Sequence, residues 1–86
     1  MYFVYILENR PDRSWYTGFT SDIKRRLRQH LSGCSPYTSK KNNWRLIYCE
    51  IYLDKQDAIG REKFLKSGAG KKFIKKQLFH YLKSNS

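Results

Sequence analysis

An arginine lies on a helical face that the surrounding residues assign to the interior. Ile23, Leu27 and Leu31 recur at helical spacing and define a buried stripe. Arg26 and His30 fall on the edge of that stripe, three and seven residues after Ile23. The planar guanidinium of an arginine in such a place can contact two phosphate oxygens at once. The alternative is that Arg26 lays its alkyl stem along the core and keeps its charged head in water.

A carboxylate repeats this anomaly on a second predicted helix. Ala58, Ile59 and Leu65 define the inward face of that helix, and Glu62 lies on it. Carboxylates are almost never buried unless they are paired or bind a metal. Glu62 therefore either forms a structural ion pair with an arginine or holds a hard divalent cation together with substrate phosphate oxygens. If Arg26 and Glu62 line one groove, the second interpretation gains support.

Two tyrosines on neighbouring predicted strands complete the candidate set. If the strands pair so that Tyr5 opposes Tyr16, the two phenols share one face of the sheet and lie about 5 Å apart. A cross-strand aromatic pair in the core is the simpler alternative. An inward arginine and an inward glutamate in the same basic protein favour the functional interpretation.

Length and composition limit what such a site can belong to. With 86 residues, the chain is expected to form one domain over residues 1–86, and its seven Tyr, five Phe and two Trp suffice for a packed core. No apolar run approaches the roughly 20 residues that cross a bilayer. The N-terminal apolar run is interrupted by the charged Glu8, whereas a secretory signal has a longer uncharged segment and a cleavage site. Cys34 and Cys49 stand apart, which is not typical of a disulfide scaffold or a zinc site. We therefore expect a soluble, cytoplasmic protein.

The charge of the chain predicts an acidic partner. Eighteen Lys and Arg residues against seven Asp and Glu residues give a net charge of +11, and the excess is greatest after residue 60. Nucleic acid is the commonest partner of so basic a domain. The last predicted helix has an apolar and a basic side, so a membrane surface is the alternative that charge alone leaves open.

Three strands are predicted, and the first two form an antiparallel hairpin because a short connection with Pro and Asp separates them. A polar loop over residues 33–43 precedes the third strand. The predicted strands are Tyr2–Leu7, Trp15–Phe19 and Trp44–Leu53.

Three helices are predicted around these strands. The first is capped by Thr20 or Ser21, carries Asp22 in its first turn and ends near Gly33. The second runs from an Asp54 cap to about Lys66. The third covers residues 71–83, with an apolar stripe of Phe73, Ile74, Leu78, Tyr81 and Leu82. The order ββαβαα predicts an α+β domain in which about three helices flank a small three-stranded antiparallel sheet.

At these residues the sequence resembles the GIY-YIG nuclease family. The likeness is closest to its short stand-alone bacterial members, which are related to the UvrC-type nuclease domain of excision repair. Residues 3–5 match the first motif, residues 16–18 the second, residues 22–30 the arginine helix and residues 61–68 the acidic segment. The first motif departs from the family pattern, with Phe and Val in place of Gly and Ile. An asparagine that some members carry after the acidic segment has no clear match near the C-terminus.

The resemblance implies a GIY-YIG fold and a metal-dependent endonuclease. Such an enzyme hydrolyses phosphodiester bonds of DNA, here expected to be structured, branched or damaged, through one Mg²⁺ or Mn²⁺ ion. The catalytic positions that it implies are Tyr5, Tyr16, Arg26, His30, Tyr37 and Glu62, with Gly18 letting the backbone pass close to the site.

The resemblance implies a role for five of the six catalytic positions, all except Tyr37. By the resemblance, Tyr5 would activate the nucleophilic water, and Tyr16 would orient water or phosphate. Arg26 would clamp the scissile phosphate, and His30 would handle a proton or contact phosphate. Glu62 would bind the metal ion.

Basic residues outside this set are expected to hold the phosphate backbone without regard to sequence. For most of them, a solvated surface charge is the simpler interpretation. These residues are Arg25, Arg28, Lys40, Lys41, Arg45, Lys71, Lys72, Lys75 and Lys76.

Two alternatives to the enzyme stay open from the sequence. One is a non-catalytic nucleic-acid-binding module that keeps the nuclease fold, and the other is an interaction module. The DNA structure that is cut, the use of RNA, the pathway, and the choice between monomer and dimer are likewise open.

Overall fold

The computed structural model describes residues 1–35 and 37–85, so Pro36 of the predicted loop and Ser86 lie outside the described residues. Within those ranges, three strands form one antiparallel sheet in the order β2–β1–β3, with four helices around it. The elements are β1 Tyr2–Asn9, β2 Trp15–Thr20, α1 Ile23–Leu31, β3 Trp44–Tyr52, α2 Lys55–Lys66, α3 Gly68–Gln77 and α4 Phe79–Ser84. The predicted α+β architecture is confirmed.

The central strand β1 separates two small cores. Successive side chains of a strand point to opposite faces. Val4 and Ile6 pack on one side against α2 and α3, through Ala58, Leu65 and Ile74. We call this side the α2 face. On the other side, which we call the α1 face, the buried cluster consists of Tyr5, Leu7 and Trp44, with Tyr16, Ile23 and Leu27 packed against it.

The hairpin register differs from the one that the sequence suggested. Tyr5 lies opposite Gly18, whereas Tyr16 lies opposite Leu7. The prediction that Tyr5 opposes Tyr16 is therefore wrong by two residues, although both phenols remain on the α1 face. The reason lies in the turn, where Asn9 N–H donates to the carbonyl of Ser14 at 2.8 Å and fixes the pairing.

The start and end of α1 also correct the prediction. Asp22 is the N-cap, because its carboxylate accepts a hydrogen bond from the backbone N–H of Arg25 at 3.1 Å, so neither Thr20 nor Ser21 caps the helix. At the other end, Leu31 is 63% exposed rather than buried. His30 takes the interior position instead.

The C-terminal helical segment is divided rather than continuous. α3 ends at Gln77, and α4 begins at Phe79 after a non-helical Leu78. The break brings the hydroxyl of Tyr81 to the buried carboxylate of Glu8 in β1. Phe73 of the predicted apolar stripe is 36% exposed, whereas Ile74 is fully buried.

An ion pair fastens α2 to β3. Arg61 donates two hydrogen bonds to Glu50, at 2.9 and 3.0 Å, and its guanidinium stacks on Phe64 and Phe73. This ion pair holds α2 against β3, and Glu62 is the next residue on the helix. The cap of α2 is Asp54, as predicted.

Neither cysteine forms a disulfide, and both Cys34 and Cys49 are exposed. The helices described in residues 1–35 and 37–85 include none that is long and apolar enough to span a membrane.

Candidate active site

Tyr5 is completely buried on the α1 face, and its ring lies over the backbone of Gly18. A Cβ atom on Gly18 would come within 2.5 Å of Cζ of Tyr5 and 3.0 Å of Cε1 of Tyr16. Only a glycine leaves room for the phenol in this position. The expectation that Gly18 lets the chain pass close to the site has this contact as its physical basis.

His30 connects the phenol of Tyr5 to the loop that precedes β3. The Tyr5 hydroxyl lies 2.8 Å from Nε2 of His30, and Nδ1 lies 2.8 Å from the hydroxyl of Thr38. When Nδ1 carries the proton, it donates to Thr38 and leaves Nε2 free to accept from Tyr5. Burial, together with the charge of Arg26, lowers the pKa of His30 below 6.5. The imidazole is therefore neutral at neutral pH.

The phenol of Tyr5 is protonated in the free protein. Burial is the largest cause that raises its pKa, to about 12, and the charges of Tyr16 and Glu62 act in the same direction. The nearby guanidinium of Arg26 opposes the rise, because its positive charge favours the ionised phenol. Any event that neutralises Glu62 would thus make Tyr5 more acidic.

Arg26 carries a buried donor without an acceptor. Its Nη1 donates to Oε1 of Gln29 at 3.1 Å, but its Nε has no hydrogen-bond partner among the described residues. The nearby phenol of Tyr5 raises the pKa of Arg26, and that of Tyr16 acts in the same direction. An unsatisfied buried donor on a cation costs free energy and is the feature that an incoming anion would relieve.

Tyr16 and Tyr37 extend the site toward solvent. The ring of Tyr16 lies 5.0 Å from that of His30 and 6.3 Å from that of Tyr5, measured between centroids. The ring of Tyr37 stacks on that of Tyr16, with centroids 6.1 Å apart, and Tyr37 is 72% exposed. Tyr37 therefore forms the outer edge of the aromatic cluster.

Glu62 lies on α2, which packs on the α2 face of the sheet, and it is not deeply buried. Its side chain is 21% exposed, and it pairs with Lys66 on the same helix at 3.3 Å. The ion pair with an arginine, which the sequence offered as the simpler interpretation, belongs instead to Glu50. Since the Glu62 charge raises the pKa of Tyr5, the carboxylate acts on the phenol electrostatically.

The donor set near Glu62 suits a weakly held hard cation. No group of three or more His, Cys, Asp or Glu side chains converges within residues 1–35 and 37–85. A single carboxylate is nevertheless compatible with Mg²⁺, which keeps several waters and takes the rest of its ligands from substrate phosphate.

Most of the predicted phosphate-binding residues lie away from this cluster. Arg25 and Arg28 are exposed on α1, and Lys40 is exposed in the loop, while Lys41 pairs with Asp12 at 2.7 Å. Arg45 lies on the α2 face, where it donates to Tyr81 and Asn85 at 2.9 and 3.2 Å. The four lysines on α3 are exposed, and that helix packs on the α2 face. They are Lys71, Lys72, Lys75 and Lys76.

Sequence reasoning missed two polar contributors, of which Thr38 is buried and Gln29 is partly buried. Thr38 is 2% exposed, binds His30 through its hydroxyl, and accepts a hydrogen bond from Nε1 of Trp44 at its carbonyl, at 3.1 Å. Gln29 holds the guanidinium of Arg26. Gln29 follows Arg26 by three residues on one helix, which is a usable signal. Nothing local marks Thr38, because the pairing depends on how the loop folds back.

The sequence is similar to a known domain family and to several bacterial proteins. The sequence model of the GIY-YIG catalytic domain matches residues 1–76. UPF0213 protein CPE1444 of Clostridium perfringens is 37% identical over 67 residues, which are 77% of this chain and 71% of that protein. UPF0213 protein YazA of Bacillus subtilis is 33% identical over 86 residues, 99% of this chain and 83% of that protein.

A solved structure shares the fold. It is the solution NMR structure of UPF0213 protein BH0048 from Bacillus halodurans, with a TM-score of 0.53 and 36% identity. The match covers 86% of this chain and 82% of that one.

Proposed function

The chain belongs to the GIY-YIG family of nuclease domains, and from that premise we propose that it is an endonuclease that hydrolyses DNA phosphodiester bonds with the help of one Mg²⁺ or Mn²⁺ ion. The observation that carries the proposal is the buried, unpartnered Nε of Arg26 beside the phenol of Tyr5. Nε of Arg26 can bind an anion, and the neighbouring phenol of Tyr5 can activate water.

Arg26 is the proposed phosphate clamp. A phosphate oxygen at Nε would satisfy the buried donor, and charge-assisted hydrogen bonds of this kind are roughly twice as strong as neutral ones. The same guanidinium would stabilise the negative charge that develops on the phosphoryl oxygens during attack. Lysine offers no planar fork of donors and is not an equivalent replacement.

Tyr5 and His30 are proposed to move the proton of the attacking water. The water oxygen bonds to phosphorus as the bond from phosphorus to the departing ester oxygen breaks. The water proton passes to the hydroxyl oxygen of Tyr5, and the phenolic proton passes to Nε2 of His30, 2.8 Å away. The imidazole is neutral and can accept it. Thr38 keeps the other proton on Nδ1. A bound phosphate would favour the imidazolium, since an opposite charge stabilises the ionised form.

Glu62 is the proposed ligand for the divalent cation. The ion, when bound, would neutralise phosphate charge and assist the departing oxygen. Its binding would also offset the charge of Glu62, which otherwise raises the pKa of Tyr5. Lys66 would then have to release the carboxylate, or share it, on formation of the complex.

A cleavage assay tests the proposal. The purified protein is incubated with branched, nicked and single-stranded DNA and with RNA, in Mg²⁺, in Mn²⁺ or in EDTA. We expect metal-dependent cutting of DNA and a loss of 100-fold or more, on the order of one missing transition-state contact, in Arg26→Lys and Glu62→Gln. Asp57→Asn is the matched control, because Asp57 is an exposed carboxylate in the first turn of the same helix.

Two outcomes would contradict the proposal. Cutting that survives Glu62→Gln at the wild-type rate would indicate a contaminating nuclease. Tight DNA binding without cutting in either metal would indicate a non-catalytic binding module instead.

A further inference from the structure

A second concave surface lies on the α2 face of the sheet, away from Tyr5. It is a groove of about 660 Å³ between the β1–β2 hairpin and helices α3 and α4. Trp15, Phe79 and Leu82 provide apolar surface in it, and Arg13, Lys71 and Lys75 provide positive charge. We call this surface the α4 groove. The GIY-YIG match ends at residue 76, so α4, with Phe79 and Leu82, lies beyond it.

The aromatic surface of the groove is accessible. Phe79 is 54% exposed although it is a large apolar side chain, and Trp15 is only partly buried. Lys71 and Lys75 are one helical turn apart on α3 and are both exposed. An exposed aromatic ring beside two exposed cations is an arrangement that binds bases by stacking and phosphates by charge.

The acid in the groove, Glu8, pairs with Arg13, so the positive charge that the groove offers to solvent comes from Lys71 and Lys75. Glu8 is 1% exposed, and its oxygens already accept hydrogen bonds from Nε1 of Trp15 at 3.1 Å, from Arg13 at 3.3 Å and from Tyr81. The carboxylate of Glu8 is therefore occupied by hydrogen bonds within the protein. Arg13 holds this contact with a backbone φ of 63°, a left-handed conformation that residues other than glycine rarely adopt.

We propose that the α4 groove binds a single-stranded stretch of nucleic acid, with bases on Phe79 and Trp15 and phosphates on Lys71 and Lys75. The inference deepens the proposed function and rests on it, because it assigns to the enzyme a substrate with a single-stranded segment beside the cut. The edge strand β2 connects the two surfaces. Its consecutive residues Trp15 and Tyr16 point to the α4 groove and to the candidate active site, respectively.

The first test measures binding without cleavage. Fluorescence anisotropy with a labelled oligothymidylate in EDTA gives the dissociation constant at several salt concentrations. In Lys71→Gln/Lys75→Gln we expect the salt slope to fall by about 1.4, since each phosphate contact to a single strand contributes about 0.7. Lys72→Gln/Lys76→Gln is the matched control, with the same charge change on the same helix but outside the α4 groove.

The second test removes the stacking ring. Phe79→Ala should weaken oligothymidylate binding by about 10-fold, as expected for loss of one stacked base. Phe79→Tyr keeps the ring and should restore binding. Thermal melting followed by circular dichroism verifies that each variant is folded. Phe79 is exposed and is not part of the buried core, so its truncation leaves the core packing in place.

The outcomes separate this inference from the nuclease proposal. Equal losses in the two lysine pairs, or wild-type binding by Phe79→Ala, would overturn the single-strand site even if DNA is cut. Selective loss in the groove variants would uphold it even if Glu62→Gln leaves cleavage unchanged and the proposed catalytic function fails. A groove that binds an acidic peptide but no oligothymidylate would also overturn it.

Discussion

Gly18 and Tyr5 face each other across β2 and β1, and the phenol of one occupies the space that a side chain on the other would fill. The glycine of the second family motif is thus a packing requirement of the tyrosine in the first. The two motifs are separated in sequence but act as one structural unit.

Gly18→Ala should destabilise the protein by about 1–3 kcal/mol, because the new methyl overpacks the Tyr5 ring. Urea unfolding measures the change. Gly60→Ala is the control, since a Cβ there meets nothing within 4 Å in the middle of α2. That substitution should instead stabilise the protein by about 0.5–1 kcal/mol. A neutral Gly18→Ala would mean that the ring of Tyr5 does not rest on this backbone.

His30 makes stability depend on pH in a defined direction. Its pKa is lowered below 6.5 in the folded protein, so the unfolded chain binds the proton more readily. The free energy of unfolding should be highest above pH 6.5 and decrease as the pH falls toward the pKa of the folded state. Denaturation between pH 7 and pH 5 measures the slope, which His30→Gln should reduce and the exposed His80→Gln should not.

Thr38→Val tests the positioning of the imidazole. The substitution keeps the shape of the side chain but leaves Nδ1 of His30 without its hydrogen-bond partner. The lost hydrogen bond should raise the activation free energy by about 1.4 kcal/mol and so lower the cleavage rate roughly 10-fold. The rising limb of the pH–rate profile should shift, because the tautomer is no longer fixed. Thr38→Ser keeps the hydroxyl and should retain both the rate and the profile.

Metal affinity should be weak in the absence of DNA. Glu62 supplies one carboxylate and is paired with Lys66, and Mg²⁺ needs an octahedral shell. Titration calorimetry of the free protein with Mg²⁺ should therefore show no tight binding. A sub-micromolar dissociation constant would contradict a site that is completed by substrate.

Periodicity located the catalytic candidates but not their contacts. The inward positions of Arg26 and Glu62 follow from helical spacing, and the charges of both side chains influence the pKa of the Tyr5 phenol. The offset between Tyr5 and Tyr16 could not be predicted, because hairpin register depends on the conformation of residues 9–14 rather than on the strands.

The burial of His30 in place of the predicted Leu31 has a similar cause. An apolar stripe favours the leucine, but two hydrogen bonds, to Tyr5 and Thr38, fix the imidazole inside and leave the helix to end at Leu31. One of these partners lies in a loop whose path no local pattern predicts. Tertiary hydrogen bonding therefore overrides the hydrophobic pattern at this helix end.

The alternation of side chains along β1 has a consequence for how the chain can change in length. Adding or deleting one residue inside this strand would send Tyr5 and Leu7 to the wrong side and reverse the assignments of Val4 and Ile6. Length variation among relatives should consequently be confined to the hairpin tip and the segment before β3, and a single-residue insertion within residues 4–8 should abolish folding.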